Sequence, residues 1–181
     1  MSIALSSLLA GRLSPSIMIS RRLERDVEVI EVAPKDIVTV CRFLSTDPDA
    51  ACDLVDVTAI DRLGRGEVGG RFLLLVLLAS RSHATRARLE VGLDDEHPTW
   101  PTLSTIWPAA WLYERELMDL LGIVADGHAN PRRLLLPEGF IGHPLRLDYR
   151  ITKRQPQVPV PDKAPRLVIN DDSDDNSGGV A

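Results

Sequence analysis

The chain has 181 residues, enough for one domain of moderate size with tails. Its hydrophobic content of 44% is that of a globular protein, and a net charge of −5 offers no basic surface for nucleic acid. Cys41 and Cys52 fit no zinc or iron–sulfur spacing; they read as two buried, reduced thiols, and a disulfide between them would need an oxidising compartment.

Residues 1–21 are apolar and serine-rich, with no early positive charge and with Arg12 interrupting them, so they predict an N-terminal arm or helix and not a signal peptide. Residues 21–33 alternate around Val27 and Val29 and predict a strand. Pro34 and Lys35-Asp36 open a short helix whose buried stripe is Ile37, Val40, Cys41 and Leu44; Thr46-Asp47-Pro48 ends it, because the residue before proline avoids the α region. Residues 52–60 predict a second strand. Residues 61–70 form a turn rich in glycine and charge that lacks the Lys-Ser/Thr ending of a phosphate loop. The apolar run from Phe72 to Ala79 is eight residues long, whereas a membrane span needs about 20, so it predicts a buried strand. With the alternating strand over 86–93 it makes a hairpin, and 94–101 is a loop.

A helix follows over 107–122. Pro108 suits its first turn, Ala110, Tyr113, Leu117, Leu120 and Leu121 form an apolar face, and Gly122 is a stop that tolerates the left-handed conformation. Glu114, Arg115, Glu116 and Asp119 crowd four charges into six positions, and no basic residue separates Glu116 from Asp119. Beyond Gly122 regularity fades: 123–131 is loop, 132–136 suits a helical turn, 137–149 is punctuated by glycine and proline, and the four prolines of 155–165 predict an extended, partly polyproline II arm. The predicted architecture is therefore α+β. A small, mainly antiparallel four-stranded sheet packs with helices over 22–122, a long irregular C-terminal arm runs over 123–168, and an acidic disordered tail over 169–181. So long an irregular segment does not fold alone, which predicts that the arm lies on another protein.

The acids of the helix allow two readings: general acid–base groups, or a face set against a basic partner. No Ser, Cys or Thr has the context of a nucleophile, which favours the second. Arg132 and Arg133 are placed to neutralise the helix carboxylates, and Arg146 to pair with Asp148 within the arm. His128 and His143 each follow a glycine; two histidines without a third ligand make a weak metal set, and hydrogen-bonded structural roles suit them better.

The stretch from Trp107 to Tyr149 resembles the 30-kilodalton subunit family of respiratory complex I, the NADH-quinone oxidoreductase of bacteria, which has counterparts in cyanobacteria and plastids. The resemblance rests on Glu114-Arg115-Glu116 with Asp119 and Gly122, then Gly127-His128, Arg132-Arg133-Leu134-Leu135, Gly139-Phe140, and Gly142-His143-Pro144-Leu145-Arg146 with Asp148-Tyr149. Residues 27–93 agree more loosely. Trp111-Leu112-Tyr113, Ala129 and Leu147 depart from the family's usual Asn-Trp-Tyr, Pro and Lys. The resemblance implies a scaffold protein that binds no cofactor and is not catalytic on its own. It would sit in the peripheral arm of a proton-pumping NADH (or ferredoxin):quinone oxidoreductase and position the 49-kilodalton-type large subunit, beside subunits that carry iron–sulfur clusters. The same module in a membrane-bound [NiFe]-hydrogenase or formate hydrogenlyase is the alternative. Either way the chain would lie on the cytoplasmic face of the cell membrane, attached only through the complex. The motif residues from Glu114 to Asp148 are then the contacts that fix domain, arm and partner.

Overall fold

The computed structural model describes residues 4–65, 69–81, 83–150, 152 and 154–156; most of the proline-rich arm and all of the acidic tail expected over 169–181 lie outside the described residues. The sheet is laid down by alternation. In β4 (Phe72–Ser80), Phe72, Leu74, Val76, Leu78 and Ser80 are buried on one face while the residues between them are half-buried on the other. β4 pairs antiparallel with β3 (Cys52–Asp61) on one side and with β5 (Arg86–Leu93) on the other, the latter as the expected hairpin. A bulge between Leu54 and Asp56 leaves Val55 exposed at the edge.

The sheet has five strands where the sequence suggested four. Residues 21–33 are not one strand but most of a hairpin, β1 (Met18–Glu24) and β2 (Val27–Val32), so residues 18–21 of the expected N-terminal arm belong to the sheet. The turn is Arg25-Asp26, with φ of 46° and 68°. That left-handed pair suits a two-residue hairpin, but neither residue is the Gly or Asn that usually announces one. β2 then pairs parallel with β5, giving the order β1-β2-β5-β4-β3, antiparallel at three of its four joints.

One face of this sheet carries the core. Helix α1 (Leu5–Arg12) contributes Leu5 and Leu9, and α2 (Ile37–Thr46) contributes Ile37, Val40, Cys41 and Leu44 at helical spacing. Cys41 and Cys52 are free and buried. Helix α3 (Ala110–Leu121) adds Ala110, Leu117 and Leu121 and runs along β3. Two short strands, β6 (Thr99–Pro101) and β7 (Val124–Asp126), pair parallel across α3 within segments that read as loops; at three residues each they are too short for periodicity to reveal. Arg132–Leu136 is not a helical turn but an open bend, for a reason that lies in α3. No helix among the described residues is long and apolar enough to cross a membrane.

Candidate functional site

Helix α3 buries two carboxylates. Glu114 and Asp119 are each 1% exposed, alongside Ala110, Leu117 and Leu121. Such burial requires partners, because an unpaired charge in the interior costs several kcal/mol. For Glu114 they come from the loop before the helix: Leu103 N–H donates to Oε1 at 2.6 Å and Thr102 Oγ1 donates to Oε2 at 2.6 Å. For Asp119 they come from the segment after it. The N–H groups of Leu134, Leu135 and Leu136 donate to Oδ2 at 3.1, 2.8 and 2.8 Å, and Arg133 donates to Oδ1 at 2.8 Å. Three successive amides aimed at one oxygen form an anion nest, which is why 132–136 is bent and not helical. Burial alone would raise the Asp119 carboxyl; the three amides and the Arg133 guanidinium outweigh it and hold it below its ordinary range.

The far end of α3 is finished by the same segment. Gly122 adopts φ 70°, and Ile123 N–H reaches back to Leu117 O, as expected for a glycine stop. The last carbonyls, which no helix can satisfy internally, are taken up in order. His143 Nδ1 lies 3.0 Å from Asp119 O, Leu145 N–H donates to Leu120 O at 3.1 Å, and Arg146 Nε donates to Leu121 O at 2.6 Å. Arg115 holds the chain from the other side, donating to the carbonyls of Arg132 and Arg133 at 2.9 and 2.6 Å while lying 4.7 Å over the Trp111 ring. His128 stacks on Trp111. Its Nδ1 accepts from Asn130 N–H, so Nε2 carries the hydrogen and donates to Trp111 O at 3.0 Å: a neutral, structural histidine.

Two expected pairings are redistributed. Arg146 and Asp148 do not pair with each other: Arg146 serves the helix end and stacks on Phe72, while Asp148 accepts from Arg71 at 2.8 Å. Arg132 offers only its carbonyl, its side chain being exposed. Pro144 is half-buried between His143 and Leu145. Glu116, one turn before Asp119, is exposed where Asp119 is buried, and its side chain has no hydrogen-bond or ion-pair partner among the described residues.

Sequence reasoning missed Arg71. This buried guanidinium binds Asp61 through both carboxylate oxygens at 2.9 and 2.8 Å and also reaches Asp95 at 2.9 Å, besides Asp148. Asp61 accepts further from Leu147 N–H at 2.9 Å. Arg71 and this amide hold the Asp61 carboxyl down at about 2 against the cost of its burial. The local hint was a charged residue at each end of the 61–71 turn, too common a pattern to single out.

The result is a segment, 123–150, stitched along its length to α3 and to the end of β3. Gly122 is the tightest point, since a Cβ there would sit 2.6 Å from both Arg146 Nη2 and His143 Nε2. Gly122→Ala is therefore expected to cost about 2 kcal/mol, a strained φ plus displaced caps, and to lower the midpoint of a urea melt accordingly. Among the described residues no group of three or more His, Cys, Asp or Glu is arranged to hold a metal ion.

Comparison with known proteins identifies the family. The family described as respiratory-chain NADH dehydrogenase, 30 Kd subunit, matches residues 30–155. The C-type subunit of the NADH-quinone oxidoreductase of Roseiflexus sp. is 38% identical over 141 residues, spanning 77% of this chain and 79% of that one. Its namesake from Acidithiobacillus ferrooxidans is 38% identical over 131 residues, 70% of this chain and 65% of that one. A chain of the archaeal membrane-bound sulfane sulfur reductase, a respiratory membrane complex, shares the fold with a TM-score of 0.62 at 20% identity, over 81% of this chain and 85% of that one. On the sequence match over most of its length, the chain belongs to the family of the 30-kilodalton subunit of respiratory-chain NADH dehydrogenase.

Proposed function

We propose that this chain is the 30-kilodalton-type subunit of a complex I-like NADH-quinone oxidoreductase, and that it works there as a scaffold without a redox group of its own. In this reading it sits on the cytoplasmic face of the membrane and seats the 49-kilodalton-type large subunit, beside iron–sulfur subunits, so that electrons reach quinone. The observation that carries the scaffold role is the segment after α3. Its backbone is fixed by Asp119, Arg115 and Asp61, yet Leu135, Ile141, Leu145 and Leu147 turn outward, Leu135 and Leu147 at 60% and 61% exposure. A rigid ridge of exposed aliphatic residues is what a subunit interface requires. The likeness to the sulfane sulfur reductase chain concerns the fold alone. The 38% identity to NADH-quinone oxidoreductase subunits is the reason to prefer quinone reduction over a hydrogenase-type complex.

The test separates interface from stability. Leu135→Glu and Leu147→Glu touch side chains that the fold leaves outside, so both variants should melt within about 0.5 kcal/mol of the parent. Both should nonetheless fail to co-purify with the large subunit. Intact complex at parental yield from the double variant would sink the reading.

A further inference from the structure

We infer that the uncovered face of the five-stranded sheet is a second docking surface, shaped for an amphipathic helix of a partner protein with an apolar stripe and basic residues along one flank. This rests on the reading that the chain serves in a larger assembly.

The buried side chains of α1, α2 and α3 all join the core on one face of the sheet, and Leu73, Leu75 and Leu77 belong to no part of that core. By register these leucines, with Ala79, lie on the opposite face, opposite Gly92, Glu90, Arg88 and Arg86 of β5. That face has two unlike halves. Over β1, β2 and β5 the charges satisfy one another: Arg22 and Arg88 both bind Glu90 and Glu24, and beneath them Val29 is fully buried. Over β4 no equivalent charge network lies over the half-buried leucines among the described residues, and the stripe spreads to Ile60 and Val55 on β3, 40% and 50% exposed. A hollow of ≈ 290 Å³ opens at its end, lined by Val27, Val55, Leu77, Ala79 and Arg88 among others.

The dimensions select the occupant. The leucine row of β4 lies between the charged row of β5 and the mixed row of β3, Asp56, Thr58 and Ile60, and these flanking rows stand about 10 Å apart, the diameter of one helix. From Leu73 to Ala79 it runs about 20 Å, the length of about 13 helical residues. A second copy stacking sheet on sheet would need an apolar face several strands wide and would bring this face's charged half against its own apolar or charged rows. Charge decides the flank. On the β3 side Asp56 has no hydrogen-bond or ion-pair partner among the described residues, and Asp53 pairs only with the exposed Arg81. The Tyr113 hydroxyl donates to Val55 O at 3.2 Å and so ties α3 to the β3 edge; Glu116, one turn further along α3, is an exposed acid whose side chain has no ion-pair partner among the described residues. Lysine or arginine on one flank of the incoming helix would meet these carboxylates.

Thr58→Cys provides the probe, because Thr58 is exposed, pairs across the strands with Leu75, and the two native thiols are buried. Maleimide labelling of this variant should be at least about tenfold slower in the purified complex than in the chain alone. Glu116→Lys, at a site outside the buried face of α3, should restore much of the labelling rate without altering the melt of the chain. A zero-length carbodiimide should join Glu116 or Asp56 to a lysine in a helix of another subunit. Equal labelling rates within an intact complex, or a cross-link to a second copy of this chain, would overturn the inference while leaving the proposed function in place. Failure of the parent chain to assemble at all would overturn both.

Discussion

Asp119→Ala is expected to release the segment after α3 and to cost about 3–4 kcal/mol. Three amides and a guanidinium converge on this one side chain, and hydrogen bonds to a charged group contribute about 1.5–3 kcal/mol each net of water, less than additively when they share one acceptor. Alanine leaves the amides of Leu134, Leu135 and Leu136 without an acceptor and opens a polar hole beneath them. Asp119→Asn should recover only part of the loss, since the carboxamide keeps one acceptor and turns an N–H₂ toward groups that are all donors. Equilibrium unfolding gives the total. Hydrogen exchange locates it: the amides of 134–136 should lose protection well before those of β4. If those three amides stay protected in Asp119→Ala, the nest is not what holds the segment.

Arg71→Ala should be of similar size, about 3–5 kcal/mol, because it strands the buried Asp61 carboxylate and cuts the tie to Asp148. Arg71→Lys should rescue little. A single ammonium cannot reproduce the two-oxygen grip on Asp61 while reaching Asp95 and Asp148 as well. The same cluster sets an acid dependence. Asp61 titrates at about 2 in the folded chain and near 4 when unfolded. A depressed carboxyl contributes stability that is fully present above the unfolded value and is lost as pH falls through the folded one. For Asp61 that is about 2 kcal/mol disappearing between roughly pH 4 and pH 2, with Asp119 and Asp148 adding to it in the same direction. Stability measured against pH should therefore drop across this window in the parent and more shallowly in Arg71→Ala. Parallel curves would show that the pair does not govern the acid limb.

The sequence and the structure part company over what the acids of α3 are for. Four charges in six positions read as a face set against a basic partner, with Arg132 and Arg133 placed to neutralise it, and of these two only the Arg133 side chain reaches Asp119. Glu114 and Asp119 instead have their partners within the chain, in Thr102, Leu103 and the 133–136 bend, and of the three acids only Glu116 remains outward. Periodicity misread them because a helical wheel assigns carboxylates to the solvent side; a carboxylate surrounded by amides is as much an interior residue as leucine. The hairpin at Arg25-Asp26 escaped for a parallel reason. Its left-handed turn is imposed by the pairing of Glu24 with Val27, not by the residues' own preference.

By itself, the sequence determined the strands over 52–60, 72–80 and 86–93, helices α2 and α3, the glycine that ends α3, and the family through motifs spread over some 40 residues of chain. These are local properties: side-chain period, backbone freedom, and order along the chain. Tertiary structure alone decided that Arg71 would bind Asp148 across 77 residues and Asp61 would bind Leu147 across 86, and that one sheet face would be filled by three helices while the leucines of the other stayed outside that core, half-buried among the described residues. A hydrogen bond between distant residues leaves no periodic trace in either segment. Its partners are chosen by where the packed core happens to bring the ends of strands and helices together.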